Sequence, residues 1–253
     1  RKSRQIYDAM LGYHSAFDVP LNEELLNLVI YETIHVNTQW HANVTDMESY
    51  LKASGFGQDL AIDTVMGRLQ ISIANLADET RPQASFIFSG STGVGKTELV
   101  KAMTKYLFGN EDAMIRFDMS EYSKDNSVDD FREKLSDAIR QKPYAVVLLD
   151  EIEKASDKVA LLLLQVLDDA RLSDRYGRQV TFSNAYTVLT TNLANEAYEE
   201  VQVSGADTEE YINLIRKALT RPGSGFRPEL LGRIDEIVPF NPLAIRFLKK
   251  LLI

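Results

Sequence analysis

The chain reads as an α/β domain in which helices cover both faces of a parallel sheet. Short, continuously apolar runs recur at residues 86–89, 114–118, 145–150, 186–191 and 237–240. Strands buried on both faces have that unbroken apolar character, and the helices between them supply the crossovers. A glycine-rich turn joins the first run directly to a helix, as a βα unit requires. Composition agrees. Over 253 residues, 45% are hydrophobic and 26% charged, which excludes disordered and low-complexity classes. The absence of cysteine excludes a disulfide framework, cysteine-ligated zinc and thiol catalysis. A net charge of −9 argues against a chain whose main task is wrapping nucleic acid. No apolar run approaches the roughly 18–20 residues of a membrane span. The chain opens on Arg1 without a signal-peptide pattern, so the expectation is a piece of a longer soluble, cytoplasmic protein.

Residues 1–50 read as helical and carry little chemistry. Leu21, Leu25, Leu28 and Val29 recur near helical spacing after a start at Pro20 and Asn22-Glu23-Glu24. His14, His35 and His41 lack partners at ligand spacing and are expected to be structural or surface groups; Trp40 is expected to pack. From residue 51 the pattern sharpens. Ile62, Val65, Leu69, Ile73 and Leu76 advance in steps of 3, 4, 4 and 3, one face of an amphipathic helix. Further helices are expected from Lys96 to about Phe108, through Val128, Phe131, Leu135 and Ile139, and from Asp157 to Asp169. Residues 171–184, with Tyr176-Gly177 between Leu172 and Val180, read as a hairpin inserted into the alternation.

The chemistry concentrates in Gly90-Ser91-Thr92-Gly93-Val94-Gly95-Lys96-Thr97. This is G-x-x-x-x-G-K-T, placed after a strand and opening a helix, the context the motif needs. Its glycines let consecutive N–H groups turn toward phosphate oxygens, and the helix N-terminus adds partial positive charge. Lys96 reaches the β- and γ-phosphates, and Thr97 offers a hydroxyl to Mg²⁺. The run 145–149 ends in Asp150-Glu151. A buried strand that delivers two carboxylates at its C-terminal end is costly unless they work there, and open parallel sheets bind ligands beyond those ends. Asp150 is read as the Mg²⁺ carboxylate and Glu151 as the base for the attacking water. Asp118 reads equally as a third carboxylate of the site or as a cap for the following turn. Asn192, closing Thr190-Thr191-Asn192, is placed to meet the γ-phosphate or the water.

With these residues in view, the chain resembles the AAA+ ATPases of the Clp chaperone family, specifically their C-terminal module. The matching stretches are Phe56-Gly57-Gln58-Asp59, residues 81–99, 116–122 (RFDMSEY), 143–169 (PYAVVLLDEIEKAS…LLLLQVLDD), 171–182 and 225–243 (GFRPELLGRIDEIVPFNPL). The resemblance implies a five-stranded parallel sheet between helices over residues 51–242, with a helical lid beginning at 243–253 and a segment 1–50 of unknown role. It implies nucleotide contacts along Gly90, Thr92, Gly93, Val94, Gly95, Lys96, Thr97 and Glu98, with Phe56, Gly57 and Ile62 near the adenine. Asn192 then resembles the γ-phosphate sensor. Arg233 resembles an arginine finger supplied to a neighbouring subunit's ATP, which implies a ring, hexameric in this family. Arg227 is the weaker candidate for that role and reads as a structural or interface residue.

The sequence departs from the family in three places. Residues 123–142 hold no aromatic-glycine pore loop, and the unbroken helical face there favours a genuine absence. Tyr176 on the hairpin is then the nearest candidate to touch a threaded chain, and Arg171, Arg175 and Arg178 read as a solvated hairpin. Residues 193–224 hold no Ile/Leu-Gly-Phe/Leu docking tripeptide, which argues against a peptidase partner. The chain ends at Ile253, before the lid's second sensor arginine. The expected function is an ATP-hydrolysing module of a protein unfoldase or disaggregase acting in a ring on polypeptide, with no nucleic acid and no membrane. Two alternatives stand beside it: a motor or loader on nucleic acid, and a nucleotide-gated scaffold with negligible turnover.

Overall fold

Phe86, Ile87 and Phe88 follow one another in the chain and none has exposed surface. Successive side chains of a strand point to opposite faces, so their sheet must be covered on both. The computed structural model describes residues 2–34, 44–54, 57–74, 78, 80–194 and 208–242 and supplies both covers. The strands are β1 (Ala84–Ser89), β2 (Met114–Asp118), β3 (Val146–Asp150), β4 (Arg171–Ser173), β5 (Gln179–Thr181), β6 (Tyr186–Thr191) and β7 (Glu236–Pro239). Five of them form one parallel sheet in the order β2-β3-β6-β1-β7. β4 and β5 form a separate antiparallel hairpin, as residues 171–184 predicted.

The helices are α1 (Lys2–Phe17), α2 (Glu23–Ile34), α3 (Val44–Ser54), α4 (Asp59–Ile73), α5 (Lys96–Phe108), α6 (Val128–Gln141), α7 (Asp157–Asp169), α8 (Thr208–Thr220) and the short α9 (Pro228–Leu231). Strand alternation divides the core in two. Phe86, Phe88, Val146, Leu148 and Val188 pack with α3, α4 and α5. Ile87, Val147, Leu149 and Leu189 pack with α6, α7, α8 and the hairpin. On α6, Phe131, Leu135 and Ile139 recur every fourth residue and are all buried; emptying one such site, as in Phe131→Ala, costs about 3–5 kcal/mol. The helix runs without interruption across 128–141. Helix ends follow local chemistry. The Ser156 hydroxyl caps α7 by accepting the Val159 N–H, and Gly109 closes α5 in the left-handed conformation.

The N-terminal region departs in detail. Asn22 starts α2 through its side chain, which accepts the Leu25 N–H at 2.9 Å. Leu25 and Val29, one turn apart on α2, are buried, whereas Leu28 on the same helix and Leu21, which precedes it, are exposed. His14 is exposed and its Nδ1 lies 2.7 Å from the Val19 carbonyl, a local contact. His35, Trp40, His41, Leu76 and residues 243–253 lie outside the described residues.

Candidate functional site

Because the sheet is parallel, the C-terminal ends of β1, β3 and β6 open on one edge, where side chains from separate strands converge. β1 ends at Ser89 and the chain turns through residues 90–95 into α5. Gly95 has φ +100°, a conformation costly to any residue with a Cβ. It lets α5 begin at Lys96, with first-turn amides that have no intrahelical partner. Gly90 is required for a different reason. A Cβ there would stand 2.7 Å from Phe240 Cβ and 3.0 Å from the Phe240 carbonyl oxygen.

The resulting cleft, about 270 Å³, is lined by Thr92, Gly93, Gly95, Lys96, Thr97, Glu98, Asp150, Glu151 and Asn192. A larger cleft of about 570 Å³, with Gln165, Asp169 and Arg171 in its wall, contains none of the motif residues. Lys96 is buried, and its Nζ donates to the Gly90 carbonyl, to the Ser91 carbonyl at 3.0 Å and to Asn192 Oδ1 at 2.8 Å. Burial pushes its ammonium down to about 8, against the pull of Asp150, Glu153 and Glu151. Asn192 Nδ2 donates in turn to Glu151 Oε1 at 3.3 Å. A bonded chain therefore runs Lys96–Asn192–Glu151. Glu151 sits at φ +56°, in the left-handed region that a non-glycine residue enters at a cost of about 1–2 kcal/mol.

Asp150 is gripped at both oxygens. Arg116 Nη2 donates to Oδ2 at 2.5 Å, and the Thr190 hydroxyl donates to Oδ1. Thr190 also accepts the Glu151 N–H at 3.0 Å. Neither Arg116 nor Thr190 carries a role in the sequence reading, since each lies far along the chain from its partner. Gln58 is a third such residue. Its buried amide donates to the Val94 carbonyl at 3.1 Å and to the Asn241 carbonyl at 2.7 Å, and accepts the Asn241 N–H at 2.9 Å.

The remaining candidates separate. Asp118 is not in the cleft wall; its carboxylate accepts the Ser120 hydroxyl at 2.6 Å and the Ser120 N–H at 2.9 Å. Those bonds hold its carboxyl below the usual range, so the cap reading applies. Gly90 and Val94 support the loop from behind, the Val94 side chain being buried in the core. Ile62 is fully buried in the same cluster, Gly57 is exposed just before α4, and Phe56 lies outside the described residues. Arg233 is not in the wall: its guanidinium pairs with Asp168, and its carbonyl accepts the Ser85 hydroxyl at 3.2 Å, near the opposite end of β1. Arg227 Nε donates to Asp157 Oδ1 at 3.0 Å, a structural tie.

The Thr97 hydroxyl and Asp150 carboxylate are hard oxygen donors of the kind Mg²⁺ takes together with substrate phosphates. Among the described residues no cluster of three His, Cys, Asp or Glu could hold a metal ion, so an ion here depends on the phosphates as well.

Residues 81–237 match the family model of the AAA domain (Cdc48 subfamily). The chain belongs to that family. This AAA domain is 42% identical over 209 residues to the chaperone protein ClpB of Leptolyngbya boryana, covering 78% of the chain and 24% of the relative. It is 43% identical over 222 residues to the ClpB of Aquifex aeolicus, covering 81% and 22%. With chaperone protein ClpB 1 of Synechococcus elongatus it shares 37% over 267 residues, 96% of the chain and 30% of the relative. The AAA domain thus spans about a quarter of the length of these curated relatives. Its family and its relatives mark it as an AAA+ ATPase domain. Among the described residues no helix is long and apolar enough to cross a membrane.

Proposed function

We propose that this AAA+ domain binds ATP with Mg²⁺ and hydrolyses it within a ring of like subunits to remodel polypeptide, as the C-terminal module of a Clp-type chaperone of the cytoplasm. The single observation that carries the reading is the bonded chain Lys96–Asn192–Glu151. It connects the ammonium that meets the terminal phosphates to the carboxylate that orients the attacking water and takes its proton. The amides of the glycine loop and α5 hold the phosphates through Gly93, Gly95, Thr97 and Glu98. Thr97 and Asp150 would hold Mg²⁺, which when bound would supply charge neutralisation at the phosphate oxygens. Asn192 reports on the γ-phosphate because its amide already touches both Lys96 and Glu151. Gly57 and Phe56 are assigned to the adenine side, whereas Ile62, with no exposed surface, belongs to the core behind α4.

Arg233 is assigned to the neighbour's ATP. Its side chain is 47% exposed and its partner Asp168 39%. Such an exposed pair is worth at most about 1 kcal/mol, so the guanidinium is cheaply released to a phosphate. Tyr176, 65% exposed with Arg175 and Arg178 over its ring at 4.7 and 5.1 Å, is assigned to the polypeptide. No peptidase partner is required.

The test is the ATPase rate of the full-length protein, with ring assembly checked by sedimentation, alone and with an unfolded protein or DNA. Unfolded protein should stimulate turnover, and Glu151→Gln should bind ATP yet lose roughly 10²–10⁴-fold in rate. Stimulation by DNA alone would move the domain to a nucleic-acid motor. ATP binding without hydrolysis in both the parent and Glu151→Gln would leave a scaffold.

A further inference from the structure

We infer that Thr190 is a positioning residue for hydrolysis, its single hydroxyl setting both carboxylates of Asp150-Glu151. The inference rests on the ATPase reading above and gives a role to a residue to which the motifs assign none. Thr190 is 1% exposed on β6, the strand between β3 and β1. The register between β3 and β6 runs from Val146↔Tyr186 to Leu149↔Leu189 and stops there. On the flanking pairs it continues, by one step to Asp118↔Asp150 and by two, through Phe88↔Thr190, to Ser89↔Thr191. The gap falls at Asp150 and Thr190, where β3 leaves its neighbour and turns through the left-handed Glu151.

The Thr190 side chain fills that gap. Its oxygen accepts the Glu151 N–H at 3.0 Å while its proton goes to Asp150 Oδ1. A hydroxyl has one proton and two lone pairs, so one atom makes both bonds at once and neither can shift without the other. With Arg116 on Oδ2, the Asp150 carboxylate has one orientation. The Glu151 turn is held in a conformation that persists only when its surroundings specify it. Valine would keep the branched shape but offer neither proton nor lone pair. Serine would keep both.

The experiment compares Thr190→Val and Thr190→Ser with the parent in the full-length protein, with Lys96→Ala as the baseline for hydrolysis elsewhere in the assembly. The readouts are kcat, KM for ATP, and ADP affinity with and without Mg²⁺. Thr190→Val should keep metal-free ADP affinity close to the parent, raise KM for ATP by no more than the Mg²⁺-dependent affinity it loses, and lose about 10²-fold in kcat, the scale of a misplaced reacting group. The gain in ADP affinity on adding Mg²⁺ should shrink, because Asp150 is no longer aimed, and Thr190→Ser should restore both. A parental kcat in Thr190→Val, or a serine variant as impaired as valine, overturns the inference. So does a metal-free affinity loss as large as the rate loss, which marks a folding role. If the parent is no faster than Lys96→Ala, the hydrolysis reading fails, and the Mg²⁺ dependence of ADP binding still decides for or against Thr190.

Discussion

Lys96 joins burial to a phosphate charge, and the sign of its pH dependence follows. Its ammonium titrates near 8 in the folded, nucleotide-free domain against an ordinary 10.5. Between those values the unfolded chain holds a proton that the folded one has released. This group's contribution to stability therefore rises with pH across that window and is least favourable below 8. Phosphates favour the charged form, so binding above pH 8 must take up a proton. Affinity for ADP is expected to be flat up to about pH 8 and then to fall, at most about tenfold per pH unit. Calorimetry in two buffers of different ionisation enthalpy reads the proton uptake directly. An affinity unchanged to about pH 9.5 would show that the ammonium does not meet the phosphates. Asp118 makes a complementary point. The residues alone left cap and site carboxylate equally open, and the choice turned on the Ser120 hydroxyl folding back onto it.

Gln58 ties three segments together: the start of α4, the phosphate loop at Val94 and the chain leaving β7 at Asn241. Gln58→Ala takes this partner from the Val94 and Asn241 carbonyls and the Asn241 N–H, a loss of about 1–3 kcal/mol for each of them that water does not reach. A lowered Tm together with weakened ADP binding is expected; an unchanged nucleotide affinity would mean that the loop holds its shape alone. The β4–β5 hairpin depends on a similar knot. The Asp174 side chain is 1% exposed and accepts from the Tyr176 and Arg178 N–H groups, Arg178 Nε and Arg140 Nη2 at 2.7–3.0 Å. Asp174→Ala removes the acceptor that these four groups share and should loosen the tip, read as lost amide-exchange protection over residues 174–178. Its basal ATPase should persist while stimulation by unfolded protein disappears, as it should in Tyr176→Ala. Undiminished stimulation in both variants removes the hairpin from the polypeptide path. The hairpin itself was legible from Tyr176-Gly177 between apolar residues. The knot was not, because Arg140 comes from α6, 34 residues earlier.

The whole domain places Arg233 away from its own cleft. Asp235 N–H donates to the Ser85 carbonyl at 3.1 Å and Arg81 donates to the Arg233 carbonyl, pinning this segment near the N-terminal end of β1. The phosphate loop leaves the other end, about 17 Å away at strand rise. If the guanidinium serves a neighbour, Arg233→Ala and Glu151→Gln should each be inactive alone, yet mixed rings should regain hydrolysis where an intact arginine meets an intact glutamate. Failure to regain it in rings shown to be mixed, or full turnover in Arg233→Ala alone, would remove the finger assignment.

Periodicity and spacing along the chain were enough for the parallel sheet, the helices over its faces, and the cleft that gathers Gly93, Lys96, Asp150, Glu151 and Asn192. Those features rest on interactions that repeat every two or four residues, or on a contiguous motif, and local order carries them. Arg116 on Asp150, Thr190 beneath Glu151, and Gln58 across Val94 and Asn241 came to light with the folded chain alone. Their partners lie 34 to 183 residues away, and such a bond exists only once strand register has brought two distant side chains within about 3 Å.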